Sequence, residues 1–462
     1  MAPPNTAFLN SEKLPSVESP RPIYYLLLFL VFLFLLYMRY FFRGKIVFAP
    51  FEFHGIDTFA YFVQLRSLYF DGNLNILSEL MAYFGGDLEN NFVLNPHGIP
   101  TVHWVIGPAI LWLPFYSMGH LWTLMLNSMG TFYPVNGFDF PFQASACFGT
   151  MVYGLAGIFL SLKLASRYAP PKYAFMGAIF VWLGSPFIFY LLILPSMAHV
   201  PSMFTVTLYL YYQIQTWGRK RGSQWMVLGF LSGLMIICRL DSGAYLLTAL
   251  FEYGYALKNA VEDRGKGVRG WFKGGVFFLA AFFIALAPQM LAWNYYYGNP
   301  FGISYLQEGA SFNLASPSLG VLFFSSYAGI VSCSPILIFS FAGLFFWSPK
   351  EPGLKQSVIF SLIIILWFTS SYEWKMGDTF GYRYIVQSTA VLIIGLSCFY
   401  SVISKYSAWS NAAFLISILM AAWEILFLLQ SAFGRVARDH TLGWDQIFLD
   451  KWKLFLYLIG MA

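Results

Sequence analysis

Apolar runs of about twenty residues, the length a helix needs to cross a bilayer, recur along the chain with short polar segments between them. The first runs from about Tyr24 to Phe42, and the rest fall near 141–162, 173–194, 200–217, 225–238, 242–257, 274–293, 321–347, 356–371, 384–403 and 410–433. This pattern predicts an all-α polytopic membrane protein of about eleven transmembrane helices. Residues 1–23 read as a polar, Pro- and Ser-bearing cytoplasmic tail, expected to be disordered. Residues 24–462 read as a single transmembrane domain. The first span is longer than a signal-peptide core and no small-residue cleavage site follows it, so it is expected to be retained. The last stretch, Trp444 to Ala462, fits either a further short span or a surface helix.

Residues 43–140 form a long polar segment after the first span. It holds one apolar piece of its own, Trp104 to Leu126, interrupted by Gly107-Pro108 and Pro114. Prolines inside a helix remove a hydrogen bond and clash with the preceding turn, so this piece is expected to be re-entrant or surface-lying and not to cross. Charge supports that arrangement. With the N-terminus inside, Lys163, Arg167 and Lys172, then Arg219, Lys220 and Arg221, then Lys258 to Lys273, then Lys350, Lys355 and Lys405 all fall on inner loops, as positive-inside topology requires. Acidic residues, among them Glu52, Asp57, Asp71, Glu79, Asp241, Glu308 and Asp378, fall outside. Chemistry is therefore expected on the outer face, with 43–140 as the first outer segment and a set of interfacial helices within it.

Composition narrows the classes. The 462 residues are 58% hydrophobic and only 10% charged, against about 25% charged in soluble domains. The net charge of +6 comes from the loop clusters and gives no reason to expect nucleic acid as a partner. Cys147, Cys238, Cys333 and Cys398 lie in or beside apolar segments without a CxxC spacing, and read as small buried residues rather than a disulfide frame or metal site. No Walker loop or HExxH is present, so an ATP-driven pump or metalloprotease has no support. No tandem repeat appears, and no symmetry between halves of the kind transporters carry.

Several stretches carry candidate chemistry. Trp374 to Tyr384 lies between two spans and concentrates Lys375, Asp378, Arg383, two glycines and several aromatics, with Glu373 just before it. Charge at membrane depth is costly and tends to mark function. Arg383 fits a bidentate phosphate partner, or a salt bridge to Asp378 or Glu373 that shapes the loop. Asp57 opens a helix that ends near Asp71, with Tyr61, Gln64, Leu68 and Asp71 on its stripe. It fits an N-cap or a general base at the water–lipid boundary. His97 and His103 lie in an irregular Pro/Gly loop and read as polar residues of a substrate-facing or solvated loop, since no close carboxylate or cysteine completes a ligand set. Arg239 and Asp241 satisfy each other or meet an anionic head group. The outer loop from Asn294 to Ser318 has Glu308 as its one charge and suits a cover over an acceptor groove. Glu424, inside an apolar run, is expected to be protonated or bonded to a neighbouring helix.

Four features, taken in order, resemble one superfamily. They are Gly55-Ile56-Asp57 with the helix through Arg66 to Leu74; the Pro/Gly-bearing segment Asn95 to Tyr116; Gly184-Ser185-Pro186-Phe187-Ile188-Phe189-Tyr190 with Pro195 to His199; and Trp374 to Arg383, similar to a Trp-x-Gly-x-Ser-Phe-Gly-x-Arg pattern. The chain resembles the GT-C superfamily of integral-membrane glycosyltransferases, nearest to protein mannosyltransferases and lipid A aminoarabinose transferases. The resemblance implies inverting transfer of a sugar from a polyprenyl-phosphate-linked donor to an acceptor glycan, lipid or protein, at the outer face of a bacterial inner membrane. It implies Asp57 as the base and Arg383 on the carrier phosphate, with Lys375, Tyr61, Arg66, His103, His199, Arg239 and Tyr382 facing substrate. Membrane lipids are the other expected partner. Many members carry two adjacent acids where Asp57 stands alone before Thr58, so nothing here supports a divalent cation, and the cofactor stays undefined. His199 stands where some members have Asp, which leaves the donor sugar open. The alternative is a non-catalytic membrane subunit or lipid-binding or transport protein on the same scaffold.

Overall fold

The computed structural model describes residues 19–48, 51–53, 55–84, 93–95, 98–262, 268–309, 311–372, 379–458 and 461. Among these the chain is helical, with two isolated bridges, Leu94 to Pro100 and Phe312 to Tyr372, as its extended pairings. The helices are α1 (Pro22–Phe41), α2 (Ile56–Arg66, running on through a wider turn to Asp71), α3 (Leu77–Phe84), α4 (Gly107–Ser128), α5 (Phe140–Ala165), α6 (Pro171–Leu183), α7 (Phe187–Leu192), α8 (His199–Gln215) and α9 (Gly222–Cys238). After a 3₁₀ segment, Leu240–Tyr245, come α10 (Leu246–Glu262), α11 (Val268–Tyr297), α12 (Ser304–Gln307), α13 (Leu319–Phe324), α14 (Ile330–Cys333), α15 (Leu337–Phe346) and α16 (Leu354–Ser370). A second 3₁₀ segment, Arg383–Ser388, leads into α17 (Thr389–Ile403), followed by α18 (Ser407–Ala432) and α19 (Trp444–Leu458).

The protein is a polytopic membrane protein. Six described helices are long and apolar enough to cross a bilayer: α1, α4, α5, most of α11, α17 with its 3₁₀ lead, and α18. Their outward faces are large and apolar: Phe34 on α1, Ile284 and Leu291 on α11 and Leu419 on α18 are all exposed. A continuous exposed apolar surface of this kind belongs against lipid. α17 lies at the centre, buried along most of its length. It meets α15 backbone to backbone, since a Cβ on Gly343 would sit 1.7 Å from the Gly395 carbonyl oxygen. Small residues let helices approach closely where no hydrophobic effect drives them together.

Two expected spans are broken. The 173–194 run divides into α6 and α7 at Gly184-Ser185-Pro186, and the 321–347 run divides into α13, α14 and α15. In the second, Ser325, Gly329 and Pro335 fall at the joints, and proline cannot donate to a preceding carbonyl.

The interruption expected in the Trp104–Leu126 piece at Gly107-Pro108 and Pro114 is not there, since α4 is one unbroken helix. Pro108 lies in its first turn, where the missing N–H costs nothing, and Pro114 is accommodated inside. Its path is set by hydrogen bonds. The Trp112 indole donates to Thr150 (2.8 Å), Tyr153 donates to the Leu111 carbonyl (2.9 Å), and Tyr116 donates to the Gly137 carbonyl (2.9 Å). α4 therefore begins at the end of α9, where Gly107 abuts Ile237 and Cys238, and runs antiparallel along the first half of α5. Beneath it α2 is covered on both stripes: Thr58 through Leu65 are all buried. On the stripe of Asp57, Tyr61, Gln64, Leu68 and Asp71, the middle residues Tyr61 and Gln64 are packed inside protein, with the Gln64 amide donating to the Ala60 and Trp104 carbonyls (3.1 and 3.4 Å), while Leu68 and Asp71 stay exposed.

Candidate functional site

The site is built where α9 stops. Arg239 leaves the helix in an extended conformation (φ −161°, ψ 126°), and the chain re-enters a helical path at the next residue, Leu240. This brings Asp241 beneath the Arg239 guanidinium. Nε donates to Oδ1 (3.1 Å) and one terminal nitrogen to Oδ2 (3.2 Å), a bidentate pair. The other terminal nitrogen donates to His199 Nδ1 at the start of α8 (3.2 Å). A guanidinium has donors only, so Nδ1 of His199 must accept, and the ring carries no proton there. Asp241 is itself held by the Gln387 amide (2.7 Å). The Gln387 oxygen accepts from Ser242 and, at 3.4 Å, from Ser202. One polar network thus fastens together the ends of α8 and α9 and the start of α17.

The second half of the site comes from far away in sequence. Arg383 reaches the Asp57 carboxylate at 3.3 Å, across 326 residues. Asp57 is 39% exposed at its side chain, and Arg383 14%. Between the two arginines stands Tyr384, with the Arg239 and Arg383 guanidinium carbons 5.1 and 5.4 Å from its ring centre. Such distances suit cation–π contact, and they keep two positive charges on one aromatic ring.

Arg383 is aimed by local packing. Gly381 has φ +54°, a left-handed conformation that favours glycine, and a Cβ there would strike the Pro186 ring. Phe380 stacks on Phe189 (4.5 Å between ring centres), and its N–H donates to the Tyr190 hydroxyl (3.1 Å). The Gly184–Tyr190 stretch and the 379–383 stretch are therefore one packed unit.

A cavity of about 790 Å³ opens from this cluster. Tyr61, Arg239, Asp241, Tyr305 and Tyr384 form its polar end, and Leu286, Trp293, Ile364 and Phe368 are among its apolar walls. Burial pushes the Tyr61 and Tyr305 phenols above their ordinary range, so both are neutral donors. The loop after α11 lines this cavity with Ile303, Tyr305, Leu306, Phe312 and Leu314.

His103 fastens that loop. Its Nδ1 lies 2.6 Å from Glu308 Oε2, while Thr101 (2.9 Å) and Tyr297 (2.7 Å) donate to Oε1. The His103 ring stacks on Trp104 and touches Tyr305, with ring centres 3.7 and 4.8 Å apart. Burial pushes the Glu308 carboxyl up, but the hydrogen bond and charge of His103, with the two hydroxyls, outweigh it, so Glu308 titrates below its ordinary 4.5.

Of the residues singled out from sequence, the structure brings Asp57, Tyr61, His199, Arg239 and Arg383 into one cluster, and sets His103 against the loop after α11. Tyr382 is buried beside it, its hydroxyl 2.5 Å from that of Thr369. Arg66 is elsewhere: it is bound to Asp71, to Glu79 (2.8 Å) and to the Asn136 carbonyl (3.1 Å), which spends its donors on holding α2 to α3. Lys375, with Glu373, Trp374, Asp378 and His97, lies outside the described residues. Glu424 accepts from Ser334 (3.0 Å), a bond to a neighbouring helix. Sequence reasoning passed over Tyr305, Tyr384 as the shared ring, and Gln387. Gln387 had a signal, an amide inside an apolar run, and such groups are expensive in a membrane unless bonded. Among the described residues no group of three or more His, Cys, Asp or Glu side chains could hold a metal ion.

No protein-family model and no curated protein matches the chain. Among solved structures the chain is similar to ArnT from Cupriavidus metallidurans bound to undecaprenyl phosphate, at 11% identity and a TM-score of 0.47, over 94% of this chain and 76% of that one. The apo state of the same protein gives 10% and 0.46, over 94% and 75%. The apo Archaeoglobus fulgidus oligosaccharyltransferase gives 12% and 0.48, over 96% of this chain and 60% of that one.

Proposed function

We propose that this protein transfers a sugar from a polyprenyl-phosphate carrier to an acceptor at the outer face of the membrane. The observation that carries the reading is the 790 Å³ cavity with apolar walls and a fixed guanidinium at one end. That combination fits an isoprenoid tail ending in a phosphate. Arg239 has five N–H groups and spends three on Asp241 and His199, so two remain for phosphate oxygens. Arg383, on the other side of Tyr384, is the second cation for the same head group. The reading puts the protein in a bacterial inner membrane with the site facing the periplasm or exterior.

The chemistry is a single displacement. The acceptor hydroxyl oxygen bonds to the anomeric carbon as the bond from that carbon to the phosphate oxygen breaks. The phosphate keeps the electron pair, and the Asp57 carboxylate takes the acceptor proton. Attack opposite the leaving phosphate inverts the anomeric centre. Charge grows on the phosphate in the transition state, and a well-placed cation or donor there is worth about 3–4 kcal/mol. Tyr61 and Tyr305 offer neutral hydroxyls to the sugar.

The test is release of sugar from a labelled polyprenyl-phosphate sugar panel by protein in lipid nanodiscs, comparing wild type with Asp57→Asn, Arg239→Gln and Arg383→Ala. Wild-type turnover that all three variants lose supports the reading and its residues. Turnover that survives in all three discards this site. Absence of turnover, together with failure to retain polyprenyl phosphate, favours the lipid-independent scaffold role.

A further inference from the structure

A second cavity, of about 710 Å³, lies on the far side of Tyr384. The two cavities share Thr369, Tyr372 and Tyr384, so they meet at the ring that both arginines face. We propose that the second cavity is the acceptor subsite, and that it takes a neutral glycan chain. This rests on the carrier reading above, and adds the class of the other substrate.

The lining carries the inference. Eight serines and threonines face the second cavity, against one, Thr369, in the first. A hydroxyl both donates and accepts and holds no charge, so a wall of hydroxyls matches the alternating donors and acceptors of a saccharide. Aromatic side chains, Tyr327, Tyr372, Tyr384 and Trp444, stand among them and offer flat apolar faces for the C–H faces of sugar rings. Among the described lining residues there is no lysine or arginine. Among the described lining residues a phosphorylated or sulfated acceptor would meet no lysine or arginine, whereas the carrier cavity has Arg239. Asp439, 67% exposed beside His440 at the mouth, repels an anionic chain further.

The cavity is held open by bonds between its walls. The Leu442 N–H donates to the Ser326 hydroxyl (2.8 Å), tying the α18–α19 loop to the segment after α13. The Ser318 N–H donates to the Ser370 carbonyl (2.8 Å), and the Asn313 N–H to the Ser371 carbonyl (2.7 Å), tying the loop after α11 to the end of α16. Three chain segments far apart in sequence thus build one preformed concavity, as ligand sites usually are. An acceptor hydroxyl delivered past Tyr384 arrives beside Arg383 and its partner Asp57, the group assigned to take its proton.

The experiment uses full-length protein in nanodiscs and two separate readouts. The first is the affinity for a panel of neutral linear oligosaccharides, with phosphorylated versions of the same chains alongside. The second is retention of undecaprenyl phosphate by native mass spectrometry. The variants are Thr441→Trp, which fills the mouth from an exposed position, Asp439→Ala, and Arg239→Gln. The expected result is that a neutral chain binds wild type, its phosphorylated version binds more weakly, and Thr441→Trp weakens the neutral chain about ten-fold or more without changing lipid retention. Asp439→Ala narrows the gap between neutral and phosphorylated chains. Arg239→Gln lowers lipid retention and leaves glycan affinity in place. The proposal is overturned if no neutral chain binds wild type, if the phosphorylated chains bind better, or if Thr441→Trp changes nothing. Loss of the carrier reading looks different: undecaprenyl phosphate is not retained by wild type while glycan binding persists.

Discussion

Two sets of charges are buried at opposite ends of α8 and α9. At one end Lys220 and Glu252 form an ion pair whose side chains are 0% and 1% exposed. Glu252 also accepts from the Gly218 N–H (2.7 Å) and the Gln213 amide (2.8 Å), and Lys220 donates to the Gln213 carbonyl (3.2 Å). All of these contacts are to protein, and neither large cavity reaches them. At the other end Arg239 and Asp241 are nearly as well bonded, yet both line a cavity. The difference teaches that burial alone does not mark a functional charge. The Lys220–Glu252 pair closes a loop junction, and the Arg239–Asp241 pair holds one face toward a cavity.

The sharpest way to break this comparison is to remove one partner of each pair. Glu252→Ala leaves Lys220 buried without its counter-ion, and a broken buried pair typically costs about 3–5 kcal/mol. Thermal unfolding of purified protein should show a large loss of stability. Arg239→Gln should instead leave the protein folded, because Gln387 still holds Asp241, and lower sugar release by roughly 10²–10³-fold. If Glu252→Ala proves harmless and Arg239→Gln unfolds the protein, the roles are reversed.

Gln387→Leu should have an intermediate effect. It removes the amide that fixes Asp241 and leaves one of the paired Ser242 and Ser202 hydroxyls without an acceptor, a cost of about 1–3 kcal/mol. The expected signature is weaker carrier retention together with a modest drop in melting temperature. The smallest expected effect concerns the loop that lines the carrier cavity. The Glu308 carboxyl titrates below 4.5 in the folded protein, so its stabilising contribution is complete above the unfolded value and is lost as pH falls through the lower folded one. Melting temperature should therefore decline with acidification in that window, and Glu308→Gln should flatten the decline. An unchanged slope in Glu308→Gln would remove the tether to His103 from the account.

Much of the fold was legible, because apolar length is a strong signal and lipid enforces it. The failures have local causes. A run such as 321–347 is apolar enough to read as one span, but Ser325, Gly329 and Pro335 turn it into three short helices. In the α4 segment the local rule fails in the opposite direction: Pro108 does not break the helix, because the first turn tolerates it. The site was legible only in part. Asp57, Arg239 and Arg383 stood out as charges in a charge-poor chain. That Arg239 and Arg383 share one ring, Tyr384, depends on long-range packing that no periodicity encodes. Arg66 stood out equally, and its bonds to Asp71 and Glu79 show why a charge in sequence does not reveal its partner.

The pairing of Asp57 with Arg383 also bears on how the protein is made. Membrane proteins are delivered to the bilayer from the N-terminus as they are synthesised, at roughly 5–20 residues per second, so 326 residues take about 16–65 s. For that interval Asp57 has been made while its partner has not. The Asp57–Arg383 pair, and the proposed site with it, therefore comes into being only late in synthesis. A chain that stalls or is cut short before Arg383 lacks that pair.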